Sequence, residues 1–214
     1  MSVRGKFLTI EGVEGVGKTT NIQFIKDWLS LHKIPYLTSR EPGGTPIAEE
    51  IRQVLLTPRD EIVCDKTELL LMFAARAQHI EQVIVPELDK GNWVLCDRFT
   101  DATYAYQGAG RSMDSQIISD LESMIQGKLR PDLTLILDIP PQEGLKRANK
   151  RGALDRFEQE KIEFFERVRE SYQIIAKRDP ERCVVIDASQ TLENVQASIK
   201  TALEGFLRRL KVED

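Results

Sequence analysis

No uncharged apolar run in this chain approaches the roughly 18 residues that a membrane-spanning helix needs, so neither a membrane span nor a membrane partner is expected. Paired cysteines are missing too. Cys64, Cys96 and Cys183 are odd in number and lack CxxC spacing, so neither a disulfide framework nor a zinc site is indicated and they read as reduced, mostly buried thiols. A basic excess is absent, because the formal net charge is −4, so a general nucleic-acid-binding surface is not expected and any anionic ligand must be held by locally grouped cations. Repeats, linkers and low-complexity segments are lacking as well. The N-terminus runs from Met1 to Lys6 into a strand without a signal-peptide apolar region, which points to the cytoplasm. With 214 residues, 41% hydrophobic and 30% charged, the chain suits one globular domain with small insertions.

What is present begins with Gly12-Val13-Glu14-Gly15-Val16-Gly17-Lys18-Thr19, which fills every fixed position of the phosphate-loop pattern GxxxxGK(S/T). Glycines permit turn conformations in which successive N–H groups point at phosphate oxygens, the lysine supplies a point charge, and the threonine hydroxyl can ligate Mg²⁺. Its context fits. Phe7 to Ile10 read as a strand, and Ile22, Ile25, Trp28, Leu29 and Leu31 recur at helical spacing after the loop.

Further along, Pro35 to Thr38 form a second strand leading to Arg40-Glu41-Pro42-Gly43-Gly44-Thr45, either a ligand-contacting turn at a strand tip or a plain strand-to-helix connection. A helix over 46–56 carries Arg52. Asp65 with Glu68 resembles an N-cap and its box partner, opening one long helix to Leu88, on which periodicity alone favours a solvated Arg76. Trp93 to Asp97 is an apolar run ending in a carboxylate, the form of a buried parallel strand with a functional tip, and Arg98 follows it. Residues 99–112 read as a polar loop and Asp114 as the cap of a helix to Gln126. Strands at 132–138 and 183–187, with helices after Pro140, over 159–178 and over 191–210, complete five strands alternating with helices. A P-loop α/β fold is expected, a five-stranded parallel sheet with helices on both faces. Lys146, Arg147, Lys150, Arg151 and Arg156 place five cations in eleven residues, either a solvated helix end or a phosphate-neutralising cluster.

Together these motifs resemble the thymidylate kinase family over nearly the whole chain: the P-loop with Glu14, Arg40 to Thr45, Phe73-Ala74-Ala75-Arg76, Asp97-Arg98, Ala105-Tyr106-Gln107-Gly108 and Leu154-Asp155-Arg156 stand in family order. The resemblance implies phosphoryl transfer from ATP to dTMP with Mg²⁺, in a cytoplasmic homodimer with a lid at about 147–160. It implies that Gly12 to Thr19, with Thr20, bind ATP; that Thr19 and Asp97 hold the metal; and that Lys18, Arg98, Glu14 and Arg151 serve catalysis. The substrate pocket it implies contains Arg40, Glu41, Pro42, Arg52, Arg76, Arg98, Thr103, Tyr106 and Gln107, with Met72 or Phe73 covering the base. Positions 13–16 lack the P-loop arginine of some members, which resembles the bacterial subtype whose lid supplies that charge at the position of Arg151. Two rival readings remain: a kinase for another nucleoside monophosphate or a deoxynucleoside, and a nucleotide-gated switch. The switch needs an NKxD segment, and the chain's Asn149-Lys150 is followed by Arg-Gly.

Overall fold

A computed structural model describes residues 4–149 and 155–213 of the chain. Strands β1 (Phe7–Glu11), β2 (Tyr36–Arg40), β3 (Trp93–Asp97), β4 (Leu133–Asp138) and β5 (Cys183–Asp187) form one sheet in the order β2-β3-β1-β4-β5. All neighbouring pairs run parallel, so every connection is a crossover. The crossovers contain α1 (Lys18–Leu31), α2 (Pro46–Leu56), α3 (Asp65–His79), α4 (Val85–Asp89), α5 (Thr100–Thr103), α6 (Ser115–Gln126), α7 (Pro141–Asn149) and α8 (Ile162–Arg178), and α9 (Leu192–Glu213) closes the chain.

The strands are apolar on both faces because both are covered. Phe7, Val94 and Cys96 point to one side, where Ile80, Ile84, Leu88 and Phe99 meet them. Leu8, Ile10, Trp93 and Leu95 point to the other and pack with Trp28, Leu29 and Phe206. The period of two thus sorts each strand between two apolar layers. Thr9 and Thr134 are register partners in the buried sheet, and their hydroxyls satisfy one another at 2.8 Å.

Several local expectations are corrected. Cys64, not Asp65, is the N-cap of α3, and Cys64 is exposed while Cys96 and Cys183 are buried. Glu68 makes no capping box; it is fully buried and bound to arginines from elsewhere in the chain. The long helix has the expected extent but contains a π-helical segment, Ile80–Ile84, ending two residues before Pro86, whose missing N–H could not complete a regular α-turn. Residues 99–112 are largely helical, with α5 followed by a π-helix over Tyr104–Gly110. Packing against α8 overrides their weak helix propensity: a methyl group at Gly110 would sit 2.5 Å from the Phe164 ring. The other cap is as read, with Asp114 accepting from the Gln116 N–H at 2.8 Å.

Candidate active site

Strands β1, β2 and β3 end at one edge of the sheet, where register sets Asp97 between Ile10 and Arg40. Ligands of open α/β sheets bind at such carboxyl ends. A cavity of about 560 Å³ opens there, reaching from Lys18 and Thr19 past Asp97 and Arg98 to Arg76 and Gln107. One space therefore joins the P-loop to the buried side chains 60 to 90 positions later in sequence.

At the P-loop end, Gly17 caps α1 with φ 93°, a left-handed conformation that suits a residue without Cβ. Lys18 Nζ lies 3.2 Å from the Gly12 carbonyl and 3.4 Å from that of Val13. Burial, with the nearby Arg98 charge, lowers its pKa from 10.5 to about 8, against the opposing pull of Asp97, Glu14 and Glu11. Gly15, Val16, Gly17, Thr19 and Thr20 line the cavity with Glu14. Val13 does not; its side chain is buried in the core, and its contribution to a ligand is confined to the backbone.

Arg98 follows the β3 tip in a left-handed conformation, φ 69°, unusual for a residue with a side chain and costly unless its surroundings enforce it. They do enforce it. Its Nη1 donates to the Gly12 carbonyl at 2.7 Å and to the Tyr172 hydroxyl at 3.3 Å, and its Nη2 donates to Glu14 at 2.8 Å. The Tyr106 hydroxyl donates to both Glu14 oxygens at 2.8 Å, and the Arg98 guanidinium lies 4.8 Å from the Tyr106 ring centre. Glu14 and Tyr106 thus hold Arg98 and border the cavity themselves.

Arg40 and Arg52 add further cations. Arg40 is bidentate on Glu49, with contacts of 2.7 and 3.2 Å, and Arg52 donates to the Pro42 carbonyl at 2.8 Å. Burial and then the charge of Arg40 lower the pKa of Arg52, and Arg98 adds to the effect. Like-charged guanidinium groups held around one space are a ready anion site, since an incoming phosphate relieves their repulsion.

Arg76 is 2% exposed, which overturns the solvated reading that periodicity favours. Its Nε donates to Glu41 at 2.7 Å and its Nη2 to Thr103 at 2.9 Å. The buried His79 sits between Glu41 and Ser39, its Nδ1 3.0 Å from the Glu41 carboxylate and its Nε2 2.6 Å from the Ser39 hydroxyl. Burial opposes ionisation of Glu41, yet the Arg76 charge and the His79 hydrogen bond lower its pKa. The third Arg76 nitrogen, Nη1, is buried without a hydrogen-bond partner among the described residues. Such a donor is costly to leave unmade, and Arg76 lines the cavity, so a ligand acceptor is the natural completion. Met72 borders the cavity, whereas Phe73 is turned into an apolar cluster with Leu69 and Ile118 and sits 4.9 Å below the Arg76 guanidinium. Phe73 is corrected from a base contact to a support for Arg76.

Asp97 Oδ1 is likewise buried and unpartnered among the described residues, at the edge where Thr19 lines the same cavity. A carboxylate and a hydroxyl are hard oxygen donors that suit Mg²⁺ carried in on phosphates. Arg147 reaches the cavity, Arg156 turns from it to the Leu55 carbonyl at 2.7 Å and to Glu68 at 2.6 Å, and Arg151 lies outside the described residues.

The chain matches the family model described as thymidylate kinase over residues 10–199. The chain belongs to the thymidylate kinase family. It is 55% identical over 203 residues to the thymidylate kinase of Teredinibacter turnerae, covering 95% of this chain and 99% of that protein. It is 56% identical over 204 residues to the thymidylate kinase of Hahella chejuensis, covering 95% and 98%. A crystal structure of thymidylate kinase from Ehrlichia chaffeensis has a TM-score of 0.74 at 31% identity and covers 94% of this chain and 99% of that one. The P-loop α/β fold read from the motifs is therefore that of a known kinase.

One buried residue beside this site carries little signal in sequence. Glu11, fully buried at the end of β1, accepts the Phe99 N–H at 2.7 Å and the Tyr172 hydroxyl at 2.8 Å. Burial and then the Asp101 charge raise its pKa from 4.5 to about 8, despite Arg98 and these hydrogen bonds. Glu11 abuts the P-loop, and a carboxyl immediately before Gly12 is its one visible sign.

Proposed function

We propose that this protein transfers the γ-phosphoryl of ATP to dTMP, giving ADP and dTDP. The supporting observation is that Arg76, whose Nη1 is buried and unpartnered among the described residues, lines the same cavity as the P-loop, so a base reader and a triphosphate site share one space. Arg76 and Gln107 hydrogen-bond the thymine, with Thr103 beside them and Met72 against its face. Arg40, Arg52 and Arg98 hold the dTMP phosphate, with Glu41 and Pro42 shaping its pocket. Gly12 to Thr20 bind ATP through backbone amides, and Lys18 neutralises its β- and γ-phosphates.

The acceptor is itself a phosphate, largely dianionic at neutral pH because its second pKa is about 6, so little general-base help is needed. Positioning and charge carry the reaction. Glu14 and Tyr106 fix Arg98, which aligns the acceptor for in-line attack while Lys18 faces the oxygens over which charge spreads. Thr19 and Asp97 would hold Mg²⁺, which would supply neutralisation of the phosphate charge. In this reading the 214 residues act as one catalytic domain, and the segment at about 147–160 is a lid from which Arg151 completes the charge. Closure excludes water, which competes as phosphoryl acceptor.

A homodimer is part of the proposal, supported by Leu70 on α3 and Ile117 and Met124 on the neighbouring α6, all exposed. Sedimentation equilibrium of the full chain and of Leu70→Glu checks it. The cytoplasmic assignment is supported by dependence on ATP and by three unpaired cysteines. Substrate identity is tested by ADP release with dTMP, dUMP, dCMP and thymidine side by side. A kcat/KM for dTMP below that for another acceptor overturns the assignment.

A further inference from the structure

Glu68 receives hydrogen bonds from three separate parts of the chain. Gln107 Nε2 donates at 2.8 Å and Arg111 Nε at 3.3 Å to one oxygen, while Arg111 Nη2 donates at 3.2 Å and Arg156 Nη2 at 2.6 Å to the other. Glu68 is fully buried and does not border the cavity; Gln107, 1% exposed, does. Arg111 is itself held by Glu160 at 2.5 Å and over the Phe164 ring at 4.8 Å, and Arg156 stacks 4.4 Å from Phe157. The carboxylate is thereby fixed in place by two guanidinium groups.

A carboxylate only accepts hydrogen bonds, so the end of the Gln107 amide that meets Glu68 must be its NH₂. Rotating the amide would set oxygen against oxygen and lose a charge-assisted bond. The carbonyl Oε1 is left for the cavity, and among the described residues no hydrogen bond reaches it. We infer that Glu68 is the positioning residue that sets base specificity, by locking the Gln107 amide with its carbonyl oxygen toward the nucleobase. The inference rests on the dTMP reading above.

Arg76 Nη1 then presents a donor and Gln107 Oε1 an acceptor, which complements the O4 acceptor and N3–H donor of thymine. Cytosine offers the reverse, a 4-amino donor and an N3 acceptor, and meets like against like twice. An unlocked amide could turn its NH₂ to cytosine N3 and remove one of those mismatches. One unsatisfied buried partner corresponds to about 5- to 150-fold in kcat/KM.

The test is kcat/KM for dTMP and for dCMP in the unaltered protein, Glu68→Gln and Glu160→Gln. Glu68→Gln lowers the dTMP to dCMP ratio at least about tenfold, chiefly through KM for dTMP, with KM for ATP within about twofold. Glu160→Gln disturbs the same arginine cluster without touching the amide and keeps the ratio. In a Gln107→Ala background, Glu68→Gln changes the ratio no further, because the group it positions is gone. An unchanged ratio in Glu68→Gln, or an equal extra loss in the Gln107→Ala background, overturns the lock. Should Glu68→Gln fail to fold, the Gln107 side-chain amide NMR signal, identified by its loss in Gln107→Ala, decides. Slow hydrogen exchange supports the lock and fast exchange overturns it. If the unaltered protein does not use dTMP, the proposed function fails instead, and the amide exchange still reports on Glu68.

Discussion

Gly15 of the P-loop and Gly144 of α7 meet backbone to backbone. A Cβ at Gly15 would lie 1.9 Å from the Gly144 carbonyl oxygen, and one at Gly144 would lie 2.5 Å from that of Glu14. The phosphate loop is therefore seated on the helix that carries Arg147.

This contact predicts the sign of a simple substitution. Helix propensity alone favours alanine over glycine by about 1 kcal/mol, so Gly144→Ala in an open helix would stabilise the protein. The blocking atom here is backbone and cannot swing aside, and overpacking of this kind costs about 1–3 kcal/mol. Gly144→Ala is expected to lower the unfolding free energy in urea and to raise KM for ATP more than KM for dTMP. A stabilised variant with unchanged KM for ATP would show that the loop does not depend on this seat.

Legibility in the sequence followed the range of the interactions. The P-loop, the Arg40 to Thr45 turn and the tip at Asp97-Arg98 are local patterns at strand ends, and residues of all three line one cavity. Arg76 was not readable from helical periodicity, because its partners Glu41 and Thr103 stand 35 and 27 residues away. Glu68 misled for the same reason: its spacing from Asp65 imitates a capping box, while its partners are Gln107, Arg111 and Arg156. The choice between Met72 and Phe73 depended on which way a helix faces between two layers, which adjacent positions do not encode.

Glu11 predicts a pH effect on stability. Its folded pKa of about 8 exceeds the ordinary 4.5, so the folded state binds more protons than the unfolded state between these values. Its contribution is fully present below about pH 4.5 and is lost as pH rises through about 8. Glu11→Gln keeps a neutral side chain throughout, so the difference in stability between variant and unaltered protein should move toward the variant across that window, by on the order of a few kcal/mol. Urea unfolding at pH 5, 7 and 9 measures it. A difference independent of pH would mean that Glu11 ionises normally in the fold.

Lys18 shifts in the opposite sense and couples to ligand. With its pKa lowered to about 8, the unfolded state binds more protons between about 8 and 10.5, and stability from this group rises with pH there. A bound triphosphate supplies the anions that burial withholds and raises the pKa again. ATP binding near pH 9, where its phosphates are already deprotonated, should therefore take up a proton. Titration calorimetry in buffers of different ionisation enthalpy reads that uptake, and none should occur near pH 6.5. Lys18→Ala should lose both the uptake and turnover while retaining dTMP binding; normal ATP-dependent turnover in that variant removes the P-loop from the mechanism.

The last prediction concerns the charge that the P-loop lacks. Val13 to Val16 contain no arginine, and the proposed lid segment offers Arg147, Arg151 and Arg156. Arg156 is committed to Glu68 and to the Leu55 carbonyl, so its loss should loosen the lid's attachment and affect KM before kcat. Arg147 reaches the cavity but also approaches the Ala188 carbonyl at 3.4 Å and Glu143 at 4.0 Å, which offset its charge. Arg151 is the proposed finger, acting mainly as charge moves to the transition state, so ground-state dTMP binding should barely sense its removal. Fingers contribute on the order of 10³- to 10⁵-fold in rate, and Arg151→Lys should recover little, because an ammonium cannot span two phosphate oxygens as a planar guanidinium does. Single-turnover phosphoryl transfer in the three alanine variants separates the roles. A deficit below about tenfold at Arg151, or a larger one at Arg147 or Arg156, assigns the finger to another lid residue.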